Sequence, residues 1–221
     1  MNNKASVLYQ DEQIIAAYKP YGVLSEDDEK KPNMPALLKD QTGCGELYTV
    51  HRLDRTTQGV MVYAKTKEAA KRLSELVQSG GLEKTYLAVI EGELKEPSGE
   101  LRDLLYFDRK KNKSYVVKRE RRGVKEARLH YDVLQTSVIG GEPLTLVKIR
   151  LLTGRTHQIR VQFASRKTPL AGDRRYGSVT HDGEIMLCAS QLRFVHPFTG
   201  EKMSFSFTPK NELFGHFAVS E

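Results

Sequence analysis

Apolar positions along this chain fall into short runs separated by polar turns. Val7-Leu8-Tyr9 and Ile14-Ile15-Ala16-Ala17-Tyr18 flank Asp11-Glu12 and end at Lys19-Pro20-Tyr21-Gly22, the pattern of two short strands around a turn. The polar, charge-rich stretch Ser25 to Pro35, with two prolines, predicts a mobile surface loop. Thr66 stands where it can cap a helix running to about Ser79, because Ala69, Ala70, Leu73, Leu76 and Val77 share one face and Gly80-Gly81 stops it. Thr85 to Ile90 reads as a buried strand, Pro97 to Gly99 as a turn, and Leu144 to Leu152 as another strand. A short helix is expected after Thr153-Gly154-Arg155, with strands near Met186 to Ser190 and Met203 to Phe207. Strands and helices mix without regular βαβ alternation, which predicts an α+β fold with a largely antiparallel mixed sheet flanked by helices. No internal repeat is evident.

Composition narrows the class. A length of 221 residues suits one or two domains, and 39% hydrophobic with 29% charged residues describes an ordinary globular chain. The formal charge of +7 is not evenly spread. Arg109 to Arg128 holds ten Lys or Arg against two acids, so the rest of the chain is close to neutral and the basic character is one patch. Tyr115-Val116-Val117 inside it predicts strands or a hairpin, an insertion over about 105–130. Nearly unmixed charge beside Tyr106, Phe107 and Tyr115 suits a surface that tracks phosphates, with Lys110, Lys111, Arg121 and Arg122 as candidates; a solvated charged hairpin is the plain alternative. Two cysteines form no disulfide framework and have no metal-ligand spacing with histidine. With no apolar leader at Met1 and no run near the ~20 residues a membrane helix needs, the expectation is a cytoplasmic protein that makes no membrane contact.

Chemistry concentrates in His51-Arg52-Leu53-Asp54-Arg55, which leads through Thr56-Thr57-Gln58-Gly59 into the apolar stretch Val60-Met61-Val62-Tyr63-Ala64. One carboxylate stands between two guanidinium groups, whose charge favours its ionised form. The arginine forks themselves suit phosphate. A charged acid where a polyanion can dock points to chemistry on a nucleic acid; a surface salt-bridge cluster at a strand entrance is the alternative.

The longer string His51 to Lys65 closely resembles the signature of the RluA-type pseudouridine synthases, although this chain has Thr56, Thr57 and Gln58 where the family more often shows an acidic residue, Thr and Ser. Glu83-Lys84-Thr85-Tyr86-Leu87-Ala88-Val89, Thr153-Gly154-Arg155-Thr156-His157-Gln158-Ile159-Arg160 and Gly172-Asp173-Arg174-Arg175-Tyr176-Gly177 resemble further family segments in the right order. The resemblance implies one catalytic domain over 1–221 with a central active-site cleft, lacking the S4-type module of many relatives. It implies that Asp54 is the catalytic acid, that Tyr86 touches the target base and serves in proton abstraction, and that Arg160 pairs with the catalytic aspartate. Arg52 would fill the gap left by an extruded nucleotide. Arg55, Arg155 and His157 complete the expected RNA-binding set, Arg155 by meeting phosphate and His157 by hydrogen bonds that shape its loop.

Uridine isomerisation breaks the bond from C1′ to N1 and joins C1′ to C5, a redox-neutral change that needs no cofactor. Asp54 either attacks C1′ or removes the C2′ proton to give a glycal, and both routes stay open. Structured RNA, ribosomal or transfer, is the expected partner of a monomer that holds no metal. A non-catalytic RNA-binding or remodelling protein of the same fold is the alternative, disfavoured because a pure binder has no need of an acid facing phosphates. A metal-dependent nuclease would need clustered carboxylates, which the motif segments do not supply.

Overall fold

The structure, a computed structural model, describes residues 5–180, 183–210 and 212–217. In chain order its elements are β1 (Ser6–Gln10), β2 (Ile14–Lys19), α1 (Met34–Thr42), β3 (Tyr48–Thr49), β4 (Gln58–Ala64), α2 (Lys67–Ser79), β5 (Glu83–Glu91), β6 (Ser98–Asp108), β7 (Lys113–Val117), β8 (Val124–Ile139), β9 (Glu142–Leu151), α3 (Gln158–Ala164), a 3-10 turn (Arg174–Tyr176), β10 (Leu187–Val195), β11 (Lys202–Ser206) and α4 (Glu212–Gly215). They divide into two compact units, residues 1–84 with 188–209, and residues 85–187 with 210–221.

In the first unit β1 and β2 pair antiparallel around Asp11, whose Oδ1 accepts the N–H groups of Gln13 and Ile14 and so holds the turn. The strand order is β1-β2-β4-β10, with β3 on β4 and β11 on β10. All of these pairs are antiparallel except β4 with β10. Every residue of β4 is buried, as a strand covered on both faces must be. Its side chains Val60, Val62 and Ala64 form the core with Ile14, Ala69 and Leu73 of α2, Leu82, and Leu192 and Phe194 of β10. The predicted α2 is present and capped at both ends. Thr66 accepts the N–H of Ala69, and Gly80 takes the left-handed conformation at φ 79°.

Two expectations need correction. Pro97 to Gly99 is not a turn throughout, since Ser98 and Gly99 already pair in β6 with Asp132 and Tyr131 of β8. Ser25 to Pro35 is not loop throughout, since Met34 and Pro35 already belong to α1. Asn33 caps that helix by accepting the N–H of Ala36 at 2.8 Å, and Pro35 sits in the first turn, where its missing N–H has no partner to lose.

In the second unit the order β5-β9-β8-β6-β7 is antiparallel throughout. The basic stretch forms the end of β6, all of β7 and the start of β8, with Arg109–Asn112 turning between the first two and 118–123 between the last two. Val161 of α3 packs on Leu105 and Ala127, with Tyr176 against the same cluster. Fully buried Gln162 donates to Leu101 O and Asp103 Oδ2, which docks α3 to the sheet.

Candidate active site

In the first unit the run His51 to Arg55 is the connection between β3 and β4, and backbone clamps on every side fix it. Buried Ser25 receives the Leu53 N–H at 3.0 Å and returns its own hydroxyl to Leu53 O at 2.7 Å. The Asp54 carbonyl accepts the Thr57 N–H at 2.9 Å, closing a tight turn. The Arg55 carbonyl accepts from Gly22 N–H at 2.8 Å and from Lys19 Nζ at 3.4 Å. His51 is buried, and its Nε2 accepts the Val62 N–H of β4 at 3.1 Å. Desolvation, helped by the charge of Lys84, holds its pKa well below the ordinary imidazole range, so the ring is neutral and carries its proton on Nδ1. It shapes the loop.

Asp54 is thereby presented half-buried from a rigid turn, with the Arg52 and Arg55 side chains exposed on either side. Arg52 pairs with Glu26 at 3.2 Å, an exposed contact worth at most about 1 kcal/mol. Gln58, one of the departures from the family pattern, is absorbed locally: its Oε1 accepts the Tyr18 hydroxyl at 2.7 Å.

Lys19, beside the candidate site, is a residue whose setting the sequence reading missed. It is fully buried, and its ammonium donates to Pro20 O at 3.1 Å and Val23 O at 2.8 Å as well as to Arg55 O. Burial lowers its pKa to about 7; the negative charge of Asp54 works the other way and raises it, while Arg55 adds a smaller lowering. The buried lysine therefore feels the candidate catalytic carboxylate directly and ties down the loop that carries it.

In the second unit Tyr86 lies buried on β5 opposite Ile149 of β9. Arg160 on α3 is 4% exposed, and it forks onto Asp173, which is wholly buried. Arg160 Nε donates to Asp173 Oδ2 at 2.6 Å and Nη2 to Oδ1 at 2.9 Å, a bidentate pair. This partner too went unread in the sequence. Arg155 stands half-buried before α3 with Nε donating to Glu126 O at 2.8 Å. His157, left-handed at φ 54° and buried, shares a hydrogen bond with Tyr176 Oη at 3.0 Å through Nδ1. Lys110, Lys111, Arg121 and Arg122 are all exposed, in the turns at the two ends of β7, and Arg121 lies 4.7 Å from the centre of the Tyr106 ring. Two charges of the patch are already matched across strands, Arg128 by Glu100 and Glu126 by Arg102. Among the described residues no three His, Cys, Asp or Glu gather as a metal-ligand group, and no helix is long and apolar enough to cross a membrane.

Two solved human proteins share this architecture. RNA Pseudouridylate Synthase Domain Containing 1 matches with a TM-score of 0.78 over 94% of this chain and 84% of its own, at 24% identity. RNA Pseudouridylate Synthase Domain Containing 4 matches at 0.76 over 96% and 90%, also at 24%. At such identity the likeness defines the class by fold, the α+β fold of the pseudouridine synthases. Sequence goes further. The RNA pseudouridylate synthase family matches residues 13–165. The tRNA pseudouridine synthase C of Vibrio parahaemolyticus is 31% identical over 89% of this chain and 87% of its own length. An uncharacterized RNA pseudouridine synthase of Aquifex aeolicus is 36% identical over 92% and 69%. The chain belongs to the RNA pseudouridylate synthase family, in its RluA-type branch. It is an isomerase that converts uridine to pseudouridine, and RNA is its partner.

Proposed function

We propose that Asp54 carries out the isomerisation on a uridine extruded from structured RNA, with Tyr86 and Arg160 as the other members of the catalytic set. The observation that carries this reading is the setting of Asp54, a half-exposed carboxylate on a turn clamped by Ser25 and Lys19, with Arg52 and Arg55 exposed beside it. A carboxylate so held is ready to meet a sugar without reorganising. Its oxygen either bonds to C1′ as the C1′–N1 bond breaks, or takes the C2′ proton as uracil departs. In both routes the freed base turns and C1′ joins C5. On the first route the Asp54–C1′ bond breaks as C5 attacks; on the second Asp54 returns its proton to C2′ as C5 adds to the glycal. The C5 proton then leaves to Tyr86 or to a water that Tyr86 holds, and N1 takes up a proton in its place. A stacked uridine hides its sugar face from a carboxylate, so the nucleotide must flip out, and Arg52, whose long side chain is exposed, fills the gap in this reading.

The substrate is transfer or ribosomal RNA; the names of the Vibrio relatives favour transfer RNA. Lys110, Lys111, Arg121, Arg122, Arg55 and Arg155 hold its phosphates, with His157 shaping the loop before α3. The same reading takes residues 1–221 as one catalytic domain, acting as a cytoplasmic monomer without metal or cofactor.

Asp54→Asn removes the reacting charge and keeps the side-chain size, so it should abolish pseudouridine formation, measured by mass-spectrometric mapping of RNA, while RNA affinity stays nearly intact. A variant that retains more than a few percent of the wild-type rate would sink the assignment. Tyr86→Phe should slow turnover and leave binding alone; full activity would exclude its hydroxyl as an essential proton acceptor.

A further inference from the structure

Gly172-Asp173-Arg174-Arg175-Tyr176-Gly177 contains the 3-10 turn of the second unit, and this turn is fastened on two sides. On one side Asp173 grips Arg160, and the Arg160 guanidinium carbon lies 5.1 Å from the centre of the Tyr176 ring. On the other side the turn meets the tip of the basic hairpin. Tyr176 Oη accepts the Ser114 N–H of β7 at 2.8 Å, Lys113 Nζ donates to Arg175 O at 2.8 Å, and Arg175 Nη1 donates to the carbonyls of Lys111 and Asn112 at 3.0 and 3.1 Å. Ser114 is itself buried, and it gives its hydroxyl to Thr156 O in the loop that enters α3.

We infer that Tyr176 is a positioning residue that ties the tip of the basic hairpin to Arg160, so that RNA held on the hairpin fixes this guanidinium for the chemical step. This rests on the proposed role of Arg160 in catalysis. The path is short and polar at each junction: exposed Lys110 and Lys111, then the β7 backbone at Ser114, then the Tyr176 hydroxyl, then the ring packed on Arg160. Desolvation pushes the Tyr176 hydroxyl up to about 12, so it stays protonated at working pH and acts by holding neighbours, not by moving a proton. A buried hydroxyl bonded to a strand of the RNA-holding hairpin and stacked through its ring on an active-site cation can pass displacement from one to the other. Small displacements matter, since a shift of about 1 Å at a reacting centre can lower a rate about 10²-fold.

Tyr176→Phe removes the hydroxyl and keeps the ring. The single-turnover rate at saturating RNA should fall roughly tenfold at a temperature where the variant is fully folded, while the RNA Kd holds at its wild-type value; the Ser114 N–H left without its acceptor lowers the Tm. An unchanged rate overturns the inference, and so does a rate that falls only at temperatures where the variant unfolds, because the hydroxyl would then serve folding alone. Should Tyr176→Phe fail to fold, Ser114→Ala, which deletes one hydroxyl from the same junction, is judged by the same criteria. Arg160→Lys is measured alongside. Full rate in Arg160→Lys would overturn the catalytic role of Arg160 and the coupling with it, whereas a collapsed rate there with full rate in Tyr176→Phe overturns the coupling alone.

Discussion

Arg160 and Asp173 both lie out of water, and each charge is tolerable there because the other answers it. Arg160→Met leaves Asp173 buried without its fork, so stability should fall by about 3–5 kcal/mol, read by urea denaturation. A loss of less than about 1 kcal/mol would put the pair in the class of screened surface contacts. Lys19 offers a pH test. Below pH 7 its ammonium is protonated in the folded and unfolded chains alike, and the desolvation penalty is fully present. Between about 7 and its ordinary 10.5 the folded chain has given up the proton while the unfolded chain keeps it, so stability from this group rises with pH across that window. The stability difference between wild type and Lys19→Met should therefore grow from pH 7 to 10; a flat difference would mean that Lys19 titrates as an exposed lysine does. The family is legible in the sequence because the residues around Asp54 spell a signature. Lys19 is legible only as part of a turn, since nothing in Lys19-Pro20-Tyr21-Gly22 says that the side chain folds inward. Asp173 is thirteen residues from Arg160, and their meeting depends on the path of the chain between α3 and the 3-10 turn rather than on a local period.

Strand β4 can lie beside β10 because Gly59 has no side chain. A Cβ there would stand 2.3 Å from Ala189 O, with backbone atoms on that side, and φ is +133°. Gly59→Ala should therefore lower stability by more than about 2 kcal/mol, seen as a lowered urea midpoint, and a change within about 0.5 kcal/mol would show that the two strands part freely. The glycine is visible in the sequence but its neighbour is not, because parallel pairing brings together residues far apart in the chain. Helices divide in the same way. The ends of α2 are legible in Thr66 and Gly80, and its apolar face repeats over three turns. α1 escapes notice because it buries only Met34, Pro35 and Leu38, and its proline reads as a loop signal until Asn33 is seen to cap the first turn.

At the scale of the whole chain, the +7 formal charge is carried largely by one exposed stretch around β7. Changing Lys110, Lys111, Arg121 and Arg122 together to Gln should weaken RNA binding and flatten the plot of log affinity against log salt by about 0.7–0.9 per lost phosphate contact. An unchanged slope would mean that these charges only keep the hairpin solvated. The α+β class and the antiparallel majority of strand pairs are legible from alternation and turn residues, but the division into two units is not, because the first unit takes its last strands from beyond residue 187. That division sets an order of events during translation. Leu192, Phe194 and Phe205 pack with Ile14, Val60 and Val62, so a ribosome must release the chain past β11 before the earliest strands have their full core. The sheet from β5 to β9 has all of its strands by Leu151. Those five strands can thus pair before the first unit has its last two, although the second unit also takes residues from 210 onward, and the apolar β4, made early, lacks its full core until then, an exposure that chaperones or proteases can meet on a nascent chain.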